Sequence, residues 1–159
     1  MSVSITVQEQ DFNVGEAYEA MRQINGPKVG AIAAFVGLVR DQNVKAGDGT
    51  RVNTLTLEHY PGMTESSIQS IADKALARWQ LQALAIYHRV GELQPMDQIV
   101  MVMASSGHRE DAFAAAQFVM DYLKTDAVFW KKELTESGSR WIESTRGDQE
   151  RAKDWQSKP

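Results

Sequence analysis

The chain has 159 residues, 43% hydrophobic and 24% charged, with a formal net charge of −4 and no cysteine. These figures describe one globular domain spanning 1–159, long enough to bury roughly 70% of its unfolded surface. They argue against a general nucleic-acid binder, and they exclude disulfides, thiolate metal ligands and any chemistry carried on the chain's own sulfur.

No secretory segment is visible at Met1–Thr6, and no apolar run approaches the ~18 residues that span a bilayer, so the expected setting is the cytoplasm without membrane contact. Ser2 to Glu9 alternates through Val3, Ile5 and Val7 and predicts a strand. Asn13 is placed to cap a helix from Val14 to about Ile24, which Asn25-Gly26-Pro27 ends. Gly30 to Arg40 is almost continuously apolar and reads as a buried strand whose end delivers Arg40. Asp41 to Arg51, with Gly47 and Gly49, reads as a mobile loop.

Val52 to Tyr60 alternates again, and Pro61-Gly62 turns the chain towards a helix capped by Thr64. Its stripe of Ile68, Ile71, Ala72, Ala75, Leu76 and Trp79 follows the helical period closely. Leu84, Ile86, His88 and Val90 mark the next strand, Gly91 to Asp97 a connecting loop, and Gln98 to Ala104 a strand of the buried type. Ser105-Ser106-Gly107-His108-Arg109 then introduces a helix that ends at Lys124.

A short aromatic strand follows, with Phe129, Lys131 and Glu133 on one face and Val128, Trp130 and Leu134 on the other. Ser137-Gly138 predicts a hairpin into Arg140–Glu143, and the polar tail 145–159 is expected to be loosely held. Strands and helices interleave without strict alternation, which predicts an α+β fold rather than a doubly wound sheet.

The chemistry-bearing residues sit at the ends of these elements. Lys124 falls at a helix C-terminus and Lys131 on the strand just after it, two cations close in sequence among aromatics. Gly107, His108 and Arg109 stand where a strand meets a helix N-terminus, a place that favours an anion. Each has an ordinary structural explanation: a lysine complements the negative end of a helix, charges protect a sheet edge, and serine caps a helix. If Arg40, His108, Arg109, Lys124 and Lys131 share one cleft, its ligand is small and negatively charged. His59, His88 and His108 lack metal-binding spacing, and His59 and His88 read as core or strand-face histidines, so no metal or cofactor is expected.

Five ordered motifs carry a resemblance: Leu57-Glu58-His59-Tyr60-Pro61-Gly62-Met63-Thr64, His88-Arg89-Val90-Gly91-Glu92-Leu93, Gly107-His108-Arg109, Asp121-Tyr122-Leu123-Lys124-Thr125 and Phe129-Trp130-Lys131-Lys132-Glu133. Together they resemble the large subunits of molybdopterin synthase, from about Gly15 to Trp155. The resemblance implies an α/β-hammerhead fold, a mixed or antiparallel sheet with packed helices and a small β subdomain. It implies sulfur transfer to cyclic pyranopterin monophosphate, making the dithiolene of molybdopterin. The donor is the C-terminal Gly-Gly thiocarboxylate of a small ubiquitin-like subunit, and the large subunits pair as a homodimer inside a heterotetramer.

By motif position the resemblance makes Lys124 and Lys131 catalytic. It gives the pterin phosphate to Arg40, His108 and Arg109, and the substrate pocket to Leu38, Val39, Arg40 and the Lys131–Glu133 segment with Lys132. Leu38, Gly107 and Val128 depart from residues common in that pattern (lysine, alanine and proline), and Leu38 removes a charged contact. The competing expectation is a non-catalytic module that holds a phosphorylated pterin or a ubiquitin-like tail. A phosphate-ester hydrolase using His108 is a third.

Overall fold

The structure, a computed structural model, describes residues 2–24, 26–42 and 50–159. In chain order the elements are β1 (Ser2–Gln8), α1 (Val14–Ile24), a 3-10 turn at Gly26–Lys28, β2 (Ala31–Leu38), β3 (Val52–His59), α2 (Met63–Arg78), β4 (Leu81–Arg89), β5 (Gly91–Leu93), β6 (Gln98–Ser106), α3 (Arg109–Leu123), β7 (Phe129–Thr135), β8 (Gly138–Ile142) and α4 (Arg146–Ser157). They form two four-stranded sheets, β1-β4-β6-β2 and β5-β3-β7-β8. β1 runs parallel to β4 and every other pairing is antiparallel, so the fold is α+β as expected. Among the described residues no helix is long and apolar enough to cross a membrane.

Local chemistry accounts for most of the boundaries. Asn13 Oδ1 accepts the Glu16 N–H at 3.0 Å and opens α1. α2 is capped by Gly62 instead of Thr64, and Gly62 takes φ 87°, a left-handed conformation that suits glycine. Thr64 is thereby drawn inside: its Oγ1 accepts the Tyr60 N–H at 2.9 Å and donates to the Val128 carbonyl at 2.6 Å. The α2 stripe packs inward as predicted, with Ile68, Ile71, Ala72 and Ala75 at 0–1% exposure. Each of the two isoleucines contributes about 2 kcal/mol by burial.

Three apolar clusters organise the interior. The largest fills the space between one face of the first sheet and α2, α3 and α4. A second, built on Phe12, Met21, Met101 and Met103, lies on the opposite face of that sheet. The third, of Val39, Leu55, Leu57, Val90 and Leu93, ties the two sheets together.

Three further expectations are corrected. The Gly30–Arg40 run is not a buried strand: β2 is an edge strand bonded only to β6, and it leaves Phe35 and Leu38 45% and 53% exposed. Apolar composition does not separate a strand buried within a chain from one that presents an apolar edge. The Gly91–Asp97 loop contains β5, three residues paired with β3.

The tail from Thr145 is α4, docked rather than loose. Thr145 and Asp148 cap it reciprocally, with bonds of 3.0 and 3.1 Å. Trp155 Nε1 donates to Asp121 at 2.8 Å, Arg78 donates to the Trp155 carbonyl at 2.9 Å, and Trp155 meets Trp79 and Phe118 edge-on. The loop expected at Asp41–Arg51 lies outside the described residues over 43–49. Its two ends are joined by a bridge between Gln42 and Arg51.

Candidate active site

Lys124 and Lys131 are brought together by a short, tightly held connection. α3 buries Ala115, Ala116, Phe118, Val119, Tyr122 and Leu123 and closes with Lys124, whose N–H bonds the Met120 carbonyl at 3.2 Å. Thr125 and Asp126 both donate to the Tyr122 carbonyl and finish the turn. The link to β7 is then clamped by the start of α2. Val128 donates to Ser67 Oγ at 3.1 Å and accepts from Thr64 Oγ1. With Val128 fixed on both sides, the spacing from the helix end to Lys131 is set by α2.

On β7 the alternation works as predicted. Phe129, Lys131 and Glu133 turn inward, while Trp130 and Leu134 stay 48% exposed. Lys131 lies opposite Leu57 and Ile142, and Glu133 opposite Leu55 and Arg140. Glu133 is buried, and its carboxylate accepts the Arg140 Nε–H at 3.0 Å. That bond offsets much of the desolvation cost of a buried carboxylate.

A cavity of about 720 Å³ opens here, between the ends of β2, β4 and β6, the end of α3, the inner face of β7 and β8, and the first turn of α4. Lys124, Lys131, Glu133, Leu38, Val39 and Arg40 all line it. Val39 is buried and pinned from both sides, donating to the Asp97 carbonyl at 2.9 Å and accepting from Met96 N–H at 2.8 Å. That anchorage sets Arg40 at the rim.

His88 lies in the same wall and was not among the residues expected to act there. It is 5% exposed, and its ring stacks on Phe129 with centroids 3.9 Å apart and planes at 20°. Nδ1 is 2.9 Å from the Arg89 carbonyl, an acceptor only, so Nδ1 carries the hydrogen. Burial, reinforced by the charges of Lys131 and Lys124, pushes its pKa down to about 3, and the imidazole is neutral at pH 7. One sequence signal was available: a polar residue on the buried face of an otherwise apolar alternation, Leu84-Ile86-His88-Val90.

The other expected residues lie elsewhere. Lys132 belongs to the outer face of β7, its ammonium 5.6 Å from the Trp141 ring centroid. His108 and Arg109 line a separate hollow with Gly30, Gly107 and Glu110. This hollow is at the N-terminal end of α3, whereas Lys124 is at the C-terminal end. Fifteen residues at about 1.5 Å each put roughly 22 Å of helix between them. The expectation of one cleft holding all five groups is therefore corrected within a single chain: Arg40, Lys124 and Lys131 converge, and His108 and Arg109 do not. Nor does Ser106 cap α3; its Oγ donates to the Gln80 carbonyl at 2.8 Å, and His108 takes the N-cap position.

Cations gathered in one cavity, with a neutral imidazole beside them, suit an anionic group. The profile of the MoaE protein family matches residues 7–126. This chain belongs to the MoaE family. Similar curated proteins named "Molybdopterin synthase catalytic subunit" come from Vibrio cholerae (51% identical, covering 98% of this chain and 100% of the relative) and Escherichia coli (49%, covering 95% and 97%). A solved MoaE structure from Burkholderia ambifaria aligns with a TM-score of 0.81 at 47% identity, covering 97% of this chain and 98% of the other. The MoaE profile spans Leu38–Arg40, His88, His108, Arg109 and Lys124. Lys131 and Glu133 lie beyond it, within the part shared with the full-length relatives.

Proposed function

We propose that this chain is the catalytic subunit of a molybdopterin synthase, acting as one domain in the cytoplasm on a phosphorylated pterin. It transfers sulfur to cyclic pyranopterin monophosphate from the C-terminal thiocarboxylate of a small ubiquitin-like subunit. The observation that carries this reading is the convergence of Lys124 and Lys131, from two separate elements, on one cavity. A chain without cysteine has to receive its sulfur from elsewhere. A partner's thiocarboxylate tail supplies sulfur in a form that two ammonium groups attract.

In this reading Lys124 and Lys131 hold the anionic tail and stabilise the oxyanions that develop as its sulfur attacks, and one of them moves the proton. Leu38, Val39 and Arg40 form the mouth for the pterin, and Glu133, held by Arg140, shapes the floor. Lys132 serves the outer face near Trp141 rather than the pocket. His108 and Arg109 grip the pterin phosphate from a second copy of the chain, across a homodimer that carries one small subunit at each end. That arrangement accounts for their distance from Lys124 within one protomer.

The test mixes each variant, Lys124→Ala and Lys131→Ala, with thiocarboxylated small subunit and cyclic pyranopterin monophosphate, and follows the mass of the pterin. The wild-type protein adds two sulfurs, and each variant slows transfer by about a hundredfold or more. Full transfer by both variants would refute the assignment, and a wild-type protein that binds the partner without changing the pterin mass would make the chain a binding module.

A further inference from the structure

His88 contributes to the cavity a lone pair that the protein itself does not use. Its ring is fixed by Phe129 on one face and by the Nδ1–H bond to the Arg89 carbonyl, which leaves Nε2 as an acceptor. Among the described residues nothing hydrogen-bonds Nε2, although the side chain is 95% removed from solvent and lines the cavity. Nε2 is open to the cavity rather than sealed in the core, so an occupant that fills the cavity must bring a donor or leave this acceptor unpaired.

The surroundings narrow the donor. Lys131 on β7 and Lys124 at the end of α3 line the same cavity and their charges act on the ring, and Arg89 is the next residue on β4. Of the carboxylates that line the cavity, Glu133 is engaged with Arg140 and Asp148 with Arg151 and the Thr145 N–H, and Glu143 is exposed. A carboxylate at position 88 would repel an anionic tail and quench the two lysines. A neutral imidazole accepts a hydrogen bond without doing either. The occupant proposed above ends in an extended Gly-Gly segment, whose peptide N–H groups lose water when the terminus reaches the lysines. Those N–H groups need an uncharged acceptor close to the cations.

We propose that His88 is a binding residue for the partner's tail, its Nε2 accepting the N–H of the last peptide unit and so setting how deeply the terminal group meets Lys124 and Lys131. This rests on the sulfur-transfer reading, and the test separates the two. Affinities are measured by calorimetry for the small subunit in its carboxylate form, and for the same subunit lacking its last two residues. His88→Phe, which keeps the aromatic stack and removes the acceptor, weakens binding of the full-length subunit about tenfold. It leaves binding of the shortened subunit unchanged, and His88→Gln, with a carbonyl of similar reach, restores most of the loss. Equal losses for both forms of the subunit, or no loss for either, overturn the proposal.

A second measurement needs no variant at position 88. In the wild-type protein the 15N resonance of His88 Nε2 moves upfield, in the hydrogen-bonded direction, when the full-length subunit is added, and an unmoved resonance also overturns the proposal. Failure of the wider reading looks different, as undiminished sulfur transfer by both lysine variants.

Discussion

The two ends of α3 carry the two cationic sites, and they are built on opposite plans. At the C-terminal end, Lys124 faces a cavity walled by both sheets, with a buried neutral histidine and a clamped connection to β7. At the N-terminal end, His108 and Arg109 share a hollow lined, among the described residues, only by two glycines and Glu110 besides. The difference teaches what enclosure contributes. A walled site strengthens its electrostatics and can exclude water during a reaction, whereas an open one can grip a phosphate only in company with further groups. In the sulfur-transfer reading proposed above, the first would carry the chemistry and the second a shared contact.

The sharpest way to break this contrast is acid. His88 has a folded pKa of about 3, below its ordinary value near 6.5. Between those values the unfolded chain binds a proton that the native chain refuses, so stability falls as pH drops through the window and levels off above it. The slope approaches 1.4 kcal/mol per pH unit, with a total of roughly 4 kcal/mol near pH 3. Denaturant unfolding at a series of pH values should show this slope in the wild-type protein and a flatter one in His88→Phe. Variants in the hollow should keep the wild-type slope.

The hollow has its own point of failure. A Cβ on Gly30 would lie 2.2 Å from the Gly107 carbonyl oxygen, which is backbone and cannot swing away. Gly30→Ala should cost about 3 kcal/mol, seen as a fall in Tm of roughly 10 °C. Milder is Arg109→Ala, which should raise KM for the pterin about tenfold, while kcat and small-subunit affinity stay close to wild type. Equal damage to kcat would mean that the hollow takes part in the reaction itself.

The smallest expected effect is a gain. Met96 holds φ 77° at 85% exposure, an unusual conformation for a residue with a Cβ. Met96→Gly should raise stability by about 1 kcal/mol in denaturant titration and leave sulfur transfer unchanged.

What the sequence made legible follows from range. The α2 stripe and the Phe129-Lys131-Glu133 face depend on local periods, 3.6 and 2, and both appear where the pattern puts them. The convergence of Lys124 and Lys131 was legible for the same reason, since a helix end and the next strand start are neighbours. His88 required knowing that Phe129, from the other sheet, would cover it, and no local period encodes that contact. The Gly30–Arg40 run failed differently: its apolar residues are real, but Phe35 and Leu38 face outward from an edge strand. α4 was misjudged from its polarity, because Ala152 and Trp155 are enough to dock it, although the spacing of Thr145 and Asp148 already spells a helix start.

The pairing of β1 with β4 sets Ser2 opposite Ala83, and that of β3 with β7 sets Val52 opposite Thr135. His88 belongs to the first of these ladders and Lys131 to the second. Closing such long chain loops is slow. The pocket, drawn from both ladders, should therefore assemble late in folding, and on heating its function and its architecture should vanish in the same step.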